Sequence, residues 1–87
     1  MSKKQLGDDD LKDHKAIGVR LKKIRADFGQ SISKVAKGAH ISRASLEIME
    51  SGKRDYRIVT LWKVCKYYGI RIGELIEEAG KDIESLK

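Results

Sequence analysis

The chain has 87 residues, 40% hydrophobic and 37% charged, with 19 Lys and Arg against 13 Asp and Glu and a net charge of +6. A chain of this length makes one domain that buries only ~60–65% of its unfolded surface, enough for a few packed helices and too little for a deep catalytic cleft. Its apolar runs are too short for a membrane span, its charged N-terminus is no secretion signal, and its one cysteine, Cys65, has no intrachain partner, so a cytoplasmic protein is expected.

Taken in chain order, residues 1–10 are polar and contain DDD, and they are expected to form a disordered tail. A first helix is predicted over about 11–28, where Ile17, Leu21, Ile24 and Phe28 recur at spacings of four and three, with Gly29 as its stop. A second helix starts behind Ser31 and ends near Gly38, and a third starts behind Ser42 and ends before Gly52. A fourth is expected over about 58–68, with Leu61, Val64, Cys65 and Tyr68 on one side and Gly69 as its C-terminal signal. A fifth covers about 72–79, with Leu75 inward and Gly80 after it. The folded domain is thus placed at 11–80, and 81–87 is read as a C-terminal tail or a dimerisation extension. No segment shows strand alternation and no repeat is present, so the fold class is all-α: a compact five-helix bundle.

The segment SISKVAKGAHISRASLEIMESGKR, residues 31–54, carries the most information. Two helices this short are unstable alone and must pack together, here through Val35, Ala36, Ile41, Leu46 and Met49. The second of them is then left with an outward face of Arg43, Ala44, Glu47 and Ile48. This is how a helix-turn-helix presents a reading helix to a DNA major groove. Charge agrees. Residues 14–71 hold fourteen basic and four acidic side chains, a net of +10, between ends of −1 and −3. Alone, a solvated Lys-rich surface explains this equally well; with the helix spacing, a polyanionic partner is the better explanation.

The same residues resemble the XRE-type helix-turn-helix DNA-binding family of lambda-type repressors and Cro proteins. Val35-Ala36, Ile41-Ser42-Arg43, Ser45-Leu46, Met49-Glu50 and Gly52-Lys53-Arg54 stand at the family's offsets, and the likeness runs over about 17–75. The chain departs from the pattern at Ile32, where members carry Gln, at His40, where they often have Gly, and at Tyr56, where they often have Pro. The resemblance implies a lambda repressor-like DNA-binding domain. It also implies a structural ion pair between Arg25, near the end of the first helix, and Glu50, near the end of the third.

Each candidate site residue also has a plainer explanation. Arg43 stands at the N-terminal end of the reading helix, where it can bond a guanine edge in two places; otherwise it meets phosphate or solvent. Ala44 can touch a thymine methyl or be a neutral helix former, and Ile48 can pack on thymine methyls or on a protein partner. Ser31, Lys34, Ser42, Ser45, Lys53, Arg54 and Arg57 are expected to meet the DNA backbone, the serines also serving as caps or surface groups. Cys65 reads as a small core residue. No His, Cys, Asp or Glu spacing suggests a metal, no nucleophile has a base at a recognisable spacing, and no Gly-rich phosphate loop is present, so no enzyme, cofactor or small-molecule ligand is inferred.

The expected function is sequence-specific binding of double-stranded DNA by a transcriptional regulator, a repressor by default, with a protein-interaction module or antitoxin of the same fold as the alternative. One reading helix contacts too few base pairs to find a site in a genome, so a homodimer on an inverted repeat is expected. Ile72, Ile76, Ile83 and Leu86 are the candidate dimer residues, with completion of the core as their plainer role.

Overall fold

A computed structural model describes residues 8–84. Its helices are α1 (Asp8–Phe28), α2 (Ile32–Ala39), α3 (Arg43–Ser51), α4 (Ile58–Tyr68) and α5 (Ile72–Glu84), with no strand among the described residues. α1 packs on α3 and α5, α2 packs on α3 and α4, and α4 touches α5. Leu21, Val35, Leu46, Met49, Leu61, Val64 and Cys65 are wholly enclosed at the centre. Burial pushes the Cys65 thiol up to about 11. Ile17, Ile24, Ile32, Ile41 and Ile72 pack around this core from its edge.

Short-range chemistry sets most helix ends. Ser31 Oγ accepts from the backbone N–H of Lys34 at 3.1 Å, and Ser42 Oγ accepts from that of Ser45 at 3.0 Å. Each hydroxyl satisfies a donor that a first helical turn leaves unpaired. α2 ends at His40, which adopts the left-handed conformation (φ 62°) while the Ile41 N–H donates to Ala36 O at 3.0 Å. A glycine would take that conformation without strain; histidine tolerates it better than most residues.

Two glycines let α1 and α3 approach closely. A Cβ on Gly18 would lie 2.5 Å from the Glu50 carbonyl oxygen. One on Gly52, already at φ +66°, would lie 2.5 Å from Lys15 Cα.

Both outer ends differ from the sequence expectation. α1 begins at Asp8, three residues before the expected start, so part of the segment expected as a disordered tail is helical. A run of acidic residues suits a first turn, where unpaired N–H groups and the helix dipole favour negative charge. α5 continues through Gly80 to Glu84 instead of stopping near Ala79. A mid-helix glycine costs only about 1 kcal/mol, and two contacts offset it. Ala79 is buried, and Asp82 accepts from Arg20 of α1 at 2.8 and 2.7 Å through its two oxygens. The rest of the expected tail, 1–7, and the last three residues lie outside the described residues.

Candidate nucleic-acid interface

α3 is held from behind. Arg25 of α1 donates from Nε to Glu50 Oε2 at 2.7 Å and from Nη2 to Glu50 Oε1 at 2.9 Å, and its Nη1 reaches the Gln30 carbonyl at 3.1 Å. Glu50 is only 4% exposed. Its hydrogen bond to Glu50 raises the Arg25 guanidinium above its ordinary value. A two-pronged pair of this kind fixes orientation as well as distance. With Leu46 and Met49 buried beside it, the roll of α3 about its axis is set.

That roll leaves Arg43, Ala44 and Glu47 exposed and Ile48 half-buried. Arg43 donates from Nε to Glu47 Oε2 at 3.2 Å and from Nη1 to Ser33 Oγ of α2 at 3.4 Å. Ser42 donates its hydroxyl hydrogen to Ser45 Oγ at 2.8 Å, so the two hydroxyls are engaged with each other. A shallow depression beside α3 is lined by Ala44, Glu47, Ile48, Ser51, Lys53 and Arg54.

Cations stand on the segments that flank α3 in sequence. Lys34 stands exposed on α2, and Lys53, Arg54 and Arg57 stand exposed between α3 and α4. None has an acidic partner among the described residues. Of the same connecting stretch, Asp55 turns to α1, where His14 Nε2 lies 3.1 Å from its Oδ1. That hydrogen bond first, and the Tyr56 N–H second, hold the Asp55 carboxyl below its ordinary range.

The expected dimer residues are spread differently. Ile72 packs partly against the core, Ile83 is half-buried and Ile76 is 46% exposed; Leu86 lies outside the described residues. A larger apolar surface stands on α4, where Ile58, Val59 and Trp62 are 62%, 51% and 52% exposed. Lys66 Nζ sits 4.4 Å above the Trp62 ring. Sequence reasoning missed this strip, and it missed Ser33. The spacing of Ile58, Val59 and Trp62 marks one helix face, which was the only available signal. Among the described residues no His, Cys, Asp and Glu group could hold a metal ion, and no helix is long and apolar enough to cross a membrane.

Two short helices joined by a tight turn, the second held by a buried pair with its other face outward, make this a helix-turn-helix protein. The family profile of the Cro/C1-type HTH DNA-binding domain matches residues 20–78, and the chain belongs to that family. No curated protein matches the sequence. Solved structures share the fold. The clp gene regulator ClgR from Corynebacterium glutamicum is 22% identical, with a TM-score of 0.72 over 92% of this chain and 96% of its own. The restriction-modification controller protein C.AhdI from Aeromonas hydrophila is 27% identical, with a TM-score of 0.68 over 72% of this chain and 96% of its own. An HTH_3 family transcriptional regulator from Vibrio cholerae is 26% identical, with a TM-score of 0.71 over 79% of this chain and 39% of its own.

Proposed function

We propose that this protein is a transcriptional regulator that binds double-stranded DNA in a sequence-specific way and represses by occupying the site polymerase needs. The observation that carries the reading is the division of α3 into a locked inner face and a free outer one. Leu46, Met49 and Glu50 are buried, while Arg43, Ala44 and Glu47 stand outward, and the cations on the neighbouring segments have no acidic partner among the described residues. In this reading α3 enters the major groove, where Arg43 reads a guanine edge and Ala44 and Ile48 meet thymine methyls. Ser31, Lys34, Ser45, Lys53, Arg54 and Arg57 hold the backbone, and Ser42 joins them by exchanging its bond to Ser45 for one to phosphate. Reaching a base requires Arg43 to give up Ser33 or Glu47, a small cost for exposed groups. The related regulators and the restriction-modification controller support the same role.

Two copies on an inverted repeat are proposed, with reading helices about 34 Å apart. The apolar residues available for pairing are Ile58, Val59 and Trp62 of α4 together with Ile76 of α5, with Ile72 and Ile83 contributing at the margin. α4 carries Lys63 and Lys66, whereas α5 exposes Glu74 and Glu77, so α4 of one copy complements α5 of the other. The same strip is the observation that favours a protein-interaction module as the second reading. A salt titration with DNA separates the two. The four cations Lys34, Lys53, Arg54 and Arg57 on phosphates give a log–log slope of roughly −3 to −4 per half-site. Absence of binding at low salt, or binding indifferent to salt, refutes the DNA reading.

A further inference from the structure

The outward side of α3 holds one cation, Arg43, and one anion, Glu47, beside small and apolar groups. Glu47 is half exposed, lies one turn after Arg43, and shares its depression with Lys53 and Arg54. An exposed pair at this spacing contributes little to stability. Carried into a groove, its carboxylate is repelled by phosphates and loses water, which a partner must replace. It can also serve a second purpose. Arg43 is tied at Nε by Glu47 and at Nη1 by Ser33, leaving Nη2 without a partner among the described residues. Its guanidinium is thereby held between the two motif helices, with the Glu47 carboxylate immediately beside it.

We propose that Glu47 is a specificity-determining residue that accepts from the exocyclic amino group of a cytosine, next to the guanine that Arg43 reads. This rests on the DNA reading given above. The major groove offers amino donors only from cytosine and adenine. Guanine and thymine present oxygen acceptors there, which repel a carboxylate. Adenine presents its N7 acceptor beside the amino group, so a second carboxylate oxygen meets a lone pair. Cytosine itself presents only the amino group beside a carbon, with no acceptor of its own on that edge. The adjacent Arg43 then finds its acceptors on a neighbouring guanine.

The test is selection of bound sequences from a random double-stranded pool by the full chain and by E47Q. The wild type is expected to favour cytosine roughly 10- to 100-fold at one position of each half-site, beside a guanine. In E47Q the guanine stays, the cytosine preference disappears, and adenine is enriched there, because an amide offers both the acceptor and the donor that adenine matches. The variant also binds unrelated DNA more tightly, since one repulsive charge has gone. Identical base preferences in the two proteins overturn the inference while leaving the DNA reading intact. Loss of guanine and cytosine together also overturns it, because Glu47 would then act only by positioning Arg43. A wild type that enriches no sequence removes the DNA reading, and the inference with it.

Discussion

α3 and α4 are short helices of 9 and 11 residues that both give an apolar face to the same core, yet their outward faces are opposite in kind. α3 shows a base-sized set of polar, charged and small side chains, and it is capped by Ser42. α4 shows Ile58, Val59 and Trp62, and Arg57 at its start makes no side-chain cap. Core packing demands the inner faces of both and places no requirement on the outer ones. Single exposed apolar residues are ordinary, but three neighbouring ones on one helix suggest a partner surface. The outer faces therefore hold the information about what the protein meets: a polar, charged face on α3, proposed to read bases, and an apolar one on α4, proposed to meet protein.

The contrast between inner and outer positions on α3 gives the largest expected effect. Glu50→Ala strands Arg25, whose side chain keeps 21% exposure to water, so the loss in stability is expected somewhat below that of a fully buried broken pair, about 2–4 kcal/mol. Three residues earlier, Glu47→Ala should change stability by less than about 0.5 kcal/mol. Denaturant titration of the two variants measures both; equal losses would show that the roll of α3 does not depend on the Arg25–Glu50 pair.

Trp62→Glu probes the outer face of α4. It should weaken self-association by about 2 kcal/mol or more if Trp62 lies centrally in the interface, with little effect on monomer folding. Sedimentation across a concentration series reads the change. Should Trp62→Glu leave association untouched while Ile76→Asp abolishes it, the pairing surface belongs to α5 alone and the α4 strip serves another partner.

The smallest effect is expected at Asp55, between the two helices. His14 and the Tyr56 N–H hold its carboxyl below the ordinary range, so its contribution is present above the unfolded value near 3.9 and is lost as pH falls through the lower folded one. Asp55 is largely exposed, so Asp55→Asn should cost less than about 0.5 kcal/mol near neutral pH. The two proteins should converge in acid below about pH 3. Denaturation at both pH values checks this; a gap that widens in acid would mean that the contact with α1 does not act through the ionised carboxylate.

Local chemistry was legible in the chain wherever short-range free energy decides. Ser31 and Ser42 mark helix starts because their hydroxyls satisfy the next turn. Gly29, Gly52 and Gly69 mark ends because they take left-handed backbone angles without strain. The spacings of Leu21, Val35, Leu46, Leu61, Val64 and Leu75 place them inside. The Arg25–Glu50 pair was available only through the family resemblance, since no spacing rule links positions 25 and 50. Tertiary structure decided the rest. Gly80 reads locally as a stop, but Asp82 finds Arg20 across 62 positions and α5 continues. Phe28 belongs to the apolar stripe of α1, yet it is 47% exposed and meets Tyr68 edge-on at 5.0 Å. Val59 and Trp62 carry the hydrophobicity of core residues, and only the direction α4 turns leaves them in solvent. Caps and periodicity are contests between neighbours in sequence; whether apolar residues beyond the core stripe are covered, and whether a helix runs past a local stop, depends on groups far along the chain.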